Sequence, residues 1–598
     1  MSPKQNYKIL PKVNNPKDLK SLDLGELETL ASEIRQLITT TVSKNGGHLA
    51  PNLGVVDLTI ALHRSYNSPV DKIIWDVGHQ AYTHKILTGR AKQFKSIRAE
   101  GGLSGYLKRS ESEHDIFGAG HVGTAVSAAV GFAEGACLKG KKNQVVAVFG
   151  DGSLTNGLTY EGINNIGCKG TDITLVLNDN KYSISKNIGG IAKYLEKLSA
   201  VRVSGEPSAD IESIFHALGF TYFGPIDGHD IQKMIDVFAL AKETKGPKLV
   251  HIVTKKGHGY AHSENRPDAF HFTNPFVLES GKTAKDTKNL SFSKIMAKTL
   301  IKIAKKDKKI IAITAAMPAG TGLDKFGEAF PDRFYDTGIA EEHAVTFAGG
   351  LALEGFKPVF AVYSTFLQRS YDEILHDICL QKIPVVFAID RAGIVGSDGP
   401  THHGLFDLSY LRTIPNLIVM APKDENELQH MLYTATRHGK LPIALRYPRG
   451  NGLGVKMDRK LSRLPIGKAE KLLDGEDLAI LAIGTMVYPS LEAAKKLAKE
   501  GISVKVYNAR FVKPIDKSMI VDAAKTGRII TVEENVLDGG FGSAVMEELE
   551  KVGIYHTKVK RIGIKDCFVE HGDPTSLKKK YGLSAQNIYK ESKNIIKK

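Results

Sequence analysis

The chain has 598 residues, of which 42% are hydrophobic and 24% charged, and a formal net charge of +16. That length calls for several domains, because single cores stop growing at ~250–300 residues, and the composition is ordinary for globular protein. A membrane-spanning class is excluded, since no apolar run approaches the ~20 residues of a bilayer span; a nucleic-acid binder is disfavoured, since lysine runs such as Lys578-Lys579-Lys580 carry no interleaved aromatics.

The segment Met1-Ser2-Pro3-Lys4-Gln5 lacks a signal-type apolar core. Cys137, Cys168, Cys379 and Cys567 are scattered without metal-ligand spacing and read as reduced thiols of a cytoplasmic protein. The basic surface reads as a solvated one that helps to attract anionic substrates.

In chain order, a first block spans 1–283. His48 and His79 each follow a glycine in a loop just ahead of an apolar or helical run, which suits side chains that face a ligand. Gly120-His121 stands before a small, apolar stretch at 124–138 and reads as a loop-to-helix entry whose backbone amides meet phosphate. The runs 145–149 and 173–177 are short, β-branched and uninterrupted, as strands buried on both faces should be. A helix-length segment at 158–167 lies between them, so the unit reads β-α-β with parallel strands. Gly150-Asp151-Gly152 and Asn178-Asp179-Asn180 then fall at the carboxyl ends of neighbouring strands, where open α/β sheets bind ligands. Asp151 and Asn180 offer hard oxygens and the Tyr182 carbonyl a third. Mg²⁺ takes such a set while phosphate oxygens complete its shell, and Gly152 lets phosphate approach the backbone. An ordinary strand-to-helix turn is the competing reading of the tripeptide alone; the flanking strands and the answering Asn favour the ion. Residues 190–210 are expected to form a mobile excursion above the site, and 280–288 a linker.

A second block, 291–460, has expected strands at 310–314, 358–362 and 385–389 and a helix at 366–380. A third, 465–598, has strands at 478–483, 503–507 and 529–532 and a helix at 490–499. Strands alternating with helices throughout predict an α/β fold with mostly parallel sheets.

Several further segments belong to one pattern: Ser43-Lys44-Asn45-Gly46-Gly47-His48, Trp75-Asp76-Val77-Gly78-His79-Gln80-Ala81-Tyr82, Ala340-Glu341-Glu342-His343, Tyr363-Ser364-Thr365-Phe366-Leu367-Gln368-Arg369, Asp390-Arg391-Ala392-Gly393-Ile394-Val395-Gly396-Ser397-Asp398, and Arg446-Tyr447-Pro448-Arg449. Together they resemble the 1-deoxy-D-xylulose 5-phosphate synthase family, within the transketolase-like thiamine-diphosphate enzymes. The resemblance runs through all three blocks and implies three doubly wound, mostly parallel α/β domains of transketolase type: a diphosphate- and Mg²⁺-binding domain, a pyrimidine-binding domain and a C-terminal domain. It implies decarboxylative condensation of pyruvate with D-glyceraldehyde 3-phosphate to 1-deoxy-D-xylulose 5-phosphate and CO₂, an entry to isoprenoid precursors that also feeds thiamine and pyridoxal synthesis. It also implies a homodimer.

The same resemblance assigns roles. Glu341 is the carboxylate set against the aminopyrimidine, best protonated or sharing a proton, which a dry pocket favours; Glu342 is its adjacent rival. Phe366 stacks on the pyrimidine, Ile184 props the bent cofactor, and Lys256 lies near it. Gly120, His121, Gly152 and Ser153 line the diphosphate. The segment reads Gly120-His121-Val122-Gly123-Thr124 where the family more often has serine in the middle, which leaves a backbone role intact but removes a side-chain hydroxyl contact. His48, His79, His271 and His402 match positions that handle substrate oxygens and protons, with His403 an alternative to His402. Arg391 and Arg449 match the phosphate site of the acceptor, with Tyr363 and Arg369 beside it and Asp398 facing the donor. The stretch from Ser185 to Phe215 is shorter than the family's, so the cover over the site is expected to differ. Three rivals stand against this reading. One is a transketolase moving a two-carbon ketol unit, against which the Arg391 and Arg449 segments argue. The others are a 2-oxo acid dehydrogenase subunit and a non-catalytic basic binding protein.

Overall fold

The computed structural model describes residues 7–200, 213–283 and 289–597. Part of the expected excursion, 201–210, and most of the expected linker, 284–288, lie outside the described residues. The chain divides into two compact units, Met1–Lys285 with Gly338–Ala340, and Asp286–Thr337 with Glu341–Lys598. No helix among the described residues is long and apolar enough to cross a membrane. Cys379 is buried, and Cys137, Cys168 and Cys567 are exposed; all four are free thiols.

In the first unit, β1 (Lys72–Trp75), β2 (Val145–Gly150), β3 (Ile173–Asp179), β4 (Thr221–Asp227) and β5 (Pro247–Val253) form one sheet in the order β1-β2-β3-β5-β4. Every pairing in it is parallel. Side chains alternate between its two faces. Ile73, Trp75, Val146 and Val148 pack with Leu58 and Leu62 and with Met234 and Phe238, from the helices Val56–Ser65 and Ile231–Glu243. Ile74, Val145, Ala147 and Phe149 pack on the opposite face with the helices Thr124–Leu138 and Gly157–Lys169. Both faces are covered, so β2 and β3 read as continuous apolar runs, and each fully buried large side chain contributes ~1.5–3 kcal/mol.

The segment expected to be an excursion begins instead as a helix, Gly190–Ala200. Leu195 and Leu198 stand three apart, share one helix face and bury against the same core as β3, only 3% and 6% exposed. The sequence's polar composition hid this short stripe.

The second unit holds two sheets. The first combines β6 (Ile310–Thr314), β7 (Phe334–Asp336), β8 (Lys357–Tyr363), β9 (Val386–Ala392), β10 (Ile418–Met420) and β11 (Ile443–Pro448). The other contains β12 (Glu470–Leu473), β13 (Leu478–Ala482), β14 (Val504–Asn508), β16 (Arg528–Val536) and β17 (Lys558–Ile564) in the order β12-β14-β13-β16-β17. Between β14 and β16 the chain leaves this sheet, and β15 (Phe511–Lys513) pairs antiparallel with β10. That exchange, and a core shared by Ile313 and Phe360 of one sheet with Leu481 and Ile529 of the other, ties the two into one body. Only the β10–β15 and β12–β14 pairings are antiparallel, so the sheets are mostly parallel, as the alternation of strands and helices predicts.

The expected helix at 366–380 is present as one continuous helical run over 364–379 whose winding changes along its length: an α-turn at Ser364–Leu367, a 3-10 turn at Gln368–Ser370 and a wide π-turn at Glu373–Cys379. The irregular winding keeps Leu367, Ile374 and Ile378 in the core while half-buried Arg369 turns toward Glu341. Such changes of winding gather at functional sites.

Candidate active site

The first unit brings Asp151 and Asp179 together because β2 and β3 are parallel and in register, with Gly150 opposite Asn178. Asp151 is 2% exposed and accepts the backbone N–H of Gly152 at 2.9 Å and of Asn180 at 3.0 Å. The Asn180 side-chain oxygen accepts the Tyr182 N–H at 3.1 Å, closing a tight turn over the strand ends. A Cβ on Gly152 would sit 2.8 Å from the Ser183 Cβ, so only glycine admits this close passage. Burial, then the charge of Asp179, pushes the Asp151 carboxyl well up. Asp179 stays below the usual carboxylate range; burial opposes this, but His251 and the Ser199 hydroxyl prevail.

Beside this turn lies a histidine cluster. His48, His79 and His271 form a triangle with ring centroids 5.5, 5.5 and 5.3 Å apart. Lys256 contacts His271 Nδ1 at 3.0 Å and donates to the Ser183 carbonyl. Burial pushes the Lys256 ammonium down to about 7, and burial with the Lys256 charge holds His271 well below the usual imidazole range. His271 is therefore neutral at pH 7. Four of the sequence-derived residues converge here from four separate segments.

Gly120 is buried and His121 half-buried in the loop ahead of the helix Thr124–Leu138. Ser153 donates its hydroxyl to Asp76 Oδ2 at 2.7 Å. Ile184 and Tyr182 are half-buried, and the Tyr182 ring lies 5.7 Å from the Lys256 ammonium.

The second unit holds a separate set. Glu341 opens the helix Glu341–Leu353 and is 3% exposed, whereas Glu342 is half-buried. Its Oε2 has no hydrogen-bond partner, and the nearest cation, Arg369 Nε, is 4.0 Å away. Burial pushes its carboxyl up to about 7, against the pull of Arg369. The Phe366 ring stacks on Tyr363 with centroids 5.7 Å apart and meets His402 edge-on at 5.5 Å. The Arg391 guanidinium covers the other side of this cluster, 3.5 Å from the Tyr363 ring centroid. Arg391 lies inside β9, not just past its end, at φ +60°. There two residues of β9 face one of β11, between the pairs Ile389–Arg446 and Ala392–Pro448. This bulge re-aims the side chain, and a non-glycine in the left-handed region is strain of the kind found at binding sites. Arg449 donates to the Val395 carbonyl at 2.9 Å and to Asp398 Oδ2 at 3.3 Å. His403 is spent on structure: its Nδ1 accepts the Val395 N–H at 3.0 Å, and its Nε2 donates to the Glu570 carbonyl at 3.1 Å.

Sequence reasoning missed the supports. Asn52 donates to the carbonyls of both His48 and His79 at 2.7 Å and accepts the Tyr82 N–H at 2.8 Å, pinning two histidine loops with one amide. Asp76 accepts the N–H groups of Gly123 and Ala125 at 2.9 and 3.1 Å and so fixes the Gly120–Gly123 approach. A polar residue inside an apolar helical run was the only signal for Asn52, and adjacency to Gly78-His79 the only one for Asp76.

Asp57, His229 and His258 also bring ligand atoms within 4.8 Å of one another. This group reads as structural. His229 Nδ1 faces Asp57 at 2.8 Å, its Nε2 accepts the Lys255 N–H at 2.9 Å, and Arg35 already neutralises Asp57. The two rings are stacked 3.9 Å apart, so their in-plane lone pairs run side by side and do not converge.

The residues fit thiamine diphosphate with a divalent cation. A cation beside Asp151 would offset the repulsion that now raises its pKa, and a ring nitrogen beside Glu341 would supply the partner its buried Oε2 lacks.

A family model described as 1-deoxy-D-xylulose-5-phosphate synthase matches residues 10–210 and 203–254. Models of the transketolase pyrimidine binding domain and C-terminal domain match 288–453 and 467–588. The 1-deoxy-D-xylulose-5-phosphate synthase 1 of Geobacter metallireducens is 51% identical, over 98% of this chain and 99% of its own length. The 1-deoxy-D-xylulose-5-phosphate synthase of Halothermothrix orenii is 51% identical over 98% of this chain and 96% of its own. With half of all positions shared along nearly its whole length, the chain belongs to the 1-deoxy-D-xylulose-5-phosphate synthase family.

Proposed function

We propose that this chain condenses pyruvate with D-glyceraldehyde 3-phosphate, releasing CO₂ and forming 1-deoxy-D-xylulose 5-phosphate, with thiamine diphosphate and Mg²⁺. The observation that carries the reading is 51% identity to a synthase of that name over 98% of the chain. Bound thiamine diphosphate supplies an electron sink for the carbon that loses CO₂. The protein's part is binding, orientation and proton handling. Asp151, Asn180 and the Tyr182 carbonyl would hold Mg²⁺, with Gly120, His121, Gly152, Ser153 and Lys256 toward the diphosphate and Ile184 against the ring system. Glu341 would hold a proton at a pyrimidine nitrogen, and its carboxyl at about 7 is poised to keep or share one near neutral pH. Phe366 would cover the ring face. Neutral His271, with His48 and His79, would donate to substrate oxygens, and His402 would carry protons on the second unit's side. Arg391 and Arg449 would clamp the acceptor's phosphate, Tyr363 and Arg369 would flank it, and Asp398, which accepts from Arg449 at 3.3 Å, would face the donor.

The three-part division at 1–283, 291–460 and 465–598, a homodimer and a cytoplasmic location complete the proposal. So does a place at the entry to isoprenoid precursors, feeding thiamine and pyridoxal synthesis.

The test is a coupled assay for CO₂ and phosphorylated ketose from purified chain, pyruvate, D-glyceraldehyde 3-phosphate, thiamine diphosphate and Mg²⁺. CO₂ and ketose in equal amounts are expected. Turnover only with a ketose donor, or none at all, overturns the reading. Arg391→Ala and Arg449→Ala are expected to raise KM for the aldehyde about 10- to 100-fold, with pyruvate's changed far less; equal effects on both misplace the clamp.

A further inference from the structure

The residues assigned to the acceptor's phosphate flank a loop that leaves β9 and returns at Gly404, Arg391 from the end of β9 and Arg449 from just past β11 through the Val395 carbonyl, and what shapes this loop comes from the third sheet. Gly393 and Gly404 close its neck by exchanging two backbone hydrogen bonds, at 2.6 and 2.8 Å. Inside the neck stands Glu534 of β16, 2% exposed. Its Oε1 accepts the Ile394 N–H at 2.8 Å. Its Oε2 accepts the Thr485 hydroxyl and pairs with Lys578 Nζ at 3.0 Å. A Cβ on Gly393, which lies at φ +83°, would come within 2.5 Å of the Glu534 carboxyl carbon, so the loop is threaded against this side chain with no room to spare.

The next peptide carries the contact to Arg449. The Val395 N–H is held by His403, which leans on the Glu570 carbonyl, and the Val395 carbonyl accepts from Arg449 at 2.9 Å. Ile394, whose N–H Glu534 holds, and Val395, whose carbonyl orients Arg449, are therefore consecutive residues, and Arg391 lies three residues upstream of Ile394. Further along, Gly396 and Gly399 pass so close to Pro574 and His571 that a Cβ at either would lie 2.9–3.0 Å from them.

Burial by itself raises a glutamate's pKa, yet Glu534 is held below the ordinary value by Lys578, the Thr485 hydroxyl and the Ile394 N–H. It is an ionised carboxylate in a dry site, fully engaged, and a rigid anchor.

We propose that Glu534, fixed by Lys578 and Thr485, is the positioning residue that presents Arg391 and Arg449 to the acceptor's phosphate, so that the third sheet sets the enzyme's preference for a phosphorylated aldehyde. The inference rests on the assignment of those two arginines to the phosphate. A misplacement of the order of 1 Å at a clamp costs up to ~10²-fold, and only an acceptor that uses the clamp is affected.

The experiment compares D-glyceraldehyde 3-phosphate with unphosphorylated D-glyceraldehyde as acceptors for Glu534→Gln, Lys578→Met and Thr485→Val, with thermal melts to establish folding. Glutamine still accepts the Ile394 N–H but loses the ion pair. Lys578→Met and Thr485→Val leave the carboxylate in place and cover the case in which Glu534→Gln fails to fold. The ratio of kcat/KM for the phosphorylated over the plain aldehyde is expected to fall about 10- to 100-fold in Glu534→Gln and Lys578→Met, while KM for pyruvate stays within about threefold. An unchanged ratio in folded variants overturns the inference, as does an equal loss for both acceptors. Arg391→Ala and Arg449→Ala run alongside. If they abolish the preference and the Glu534 and Lys578 variants keep it, the positioning role alone fails. If the arginine variants keep it, the clamp assignment fails and this inference falls with it.

Discussion

Glu341 opens its helix with a carboxyl that burial raises to about 7, and this has opposite consequences for chemistry and stability. The folded state binds a proton here more tightly than the unfolded chain, whose glutamate titrates near ~4.3. Its stabilising contribution is thus fully present below that value and lost as pH rises to about 7, a swing of roughly 3–4 kcal/mol at 1.36 kcal/mol per pKa unit. Glu341→Gln is expected to lower turnover by about 10²- to 10⁴-fold and to raise the melting temperature of the cofactor-free protein at pH 8, with little gain at pH 4.5. Melts at the two pH values, beside the CO₂ assay, check both arms; a variant that melts lower at pH 8 refutes the electrostatic account. Gly152 is the second residue with a sharp expectation. Its Cβ would press on Ser183 at 2.8 Å, and the turn bearing Asn180 and Tyr182 would have to shift. Gly152→Ala is expected to weaken joint binding of thiamine diphosphate and Mg²⁺ by about 1–3 kcal/mol, the usual penalty of overpacking, as read by calorimetric titration.

At the scale of elements, one contact between the helices Val56–Ser65 and Tyr82–Lys85 is a buried polar chain and not apolar packing. His63 Nε2, on the helix Val56–Ser65, meets His84 Nδ1 at 3.0 Å; His84 Nε2 faces Asp115 at 3.3 Å, and Arg90 grips Asp115 at 2.7 and 2.9 Å. Both histidines are fully buried, and burial first, with neighbouring cations, keeps them below the usual imidazole range. Neutral in the folded state, they would take up protons once unfolded. Their stabilising contribution is present above ~6.5 and is lost as pH falls through their depressed folded values. Between pH 7 and pH 5 this loss is opposed by carboxyls that burial raises, Glu341 and Asp390 to about 7 and Asp151 and Glu533 to about 8, so the network is read by difference: the urea midpoint of His63→Gln is expected to fall less, or rise more, over that interval than that of the parent chain. The same pH dependence in folded His63→Gln and parent contradicts the network. The same scale separates what periodicity reveals from what it conceals. The runs at 145–149 and 173–177 announced β2 and β3 because both faces are buried. The helix Gly190–Ala200 escaped because only a short stripe of it meets the core. The helix expected at 366–380 is present, but its winding changes because it answers to the core and to Glu341 at once, which no local spacing records.

For the whole molecule, binding is the measure. Ligands that bind the folded state alone stabilise it by ~2.7 kcal/mol at one hundred times Kd, so thiamine diphosphate with Mg²⁺ is expected to raise the melting temperature of the purified chain, and either ligand alone to do less. No shift with folded protein would leave Asp151 and Asn180 without their assigned ligand. Sedimentation is expected to give a dimer at micromolar concentration; a monomer that turns over would remove the dimer from the proposal.

The amino-acid order by itself determined the α/β alternation, the strand-end placement of Asp151 and Asn180, and the residue types fit to hold a cation, a diphosphate and a phosphate. These are local matters: a strand buried on both faces reads as a near-continuous apolar run, and glycine backbone and guanidinium are residue types suited to phosphate. Tertiary structure alone decided that Glu341 and not Glu342 is buried, that His403 is spent on the Val395 and Glu570 backbone while His402 meets Phe366, and that Arg391 rides a bulge. It alone set Asn52, Asp76 and Glu534 behind the segments of the residues proposed to bind ligands. Burial and hydrogen bonding between segments far apart in the chain fix these choices, and a desolvated carboxylate looks in sequence like any other.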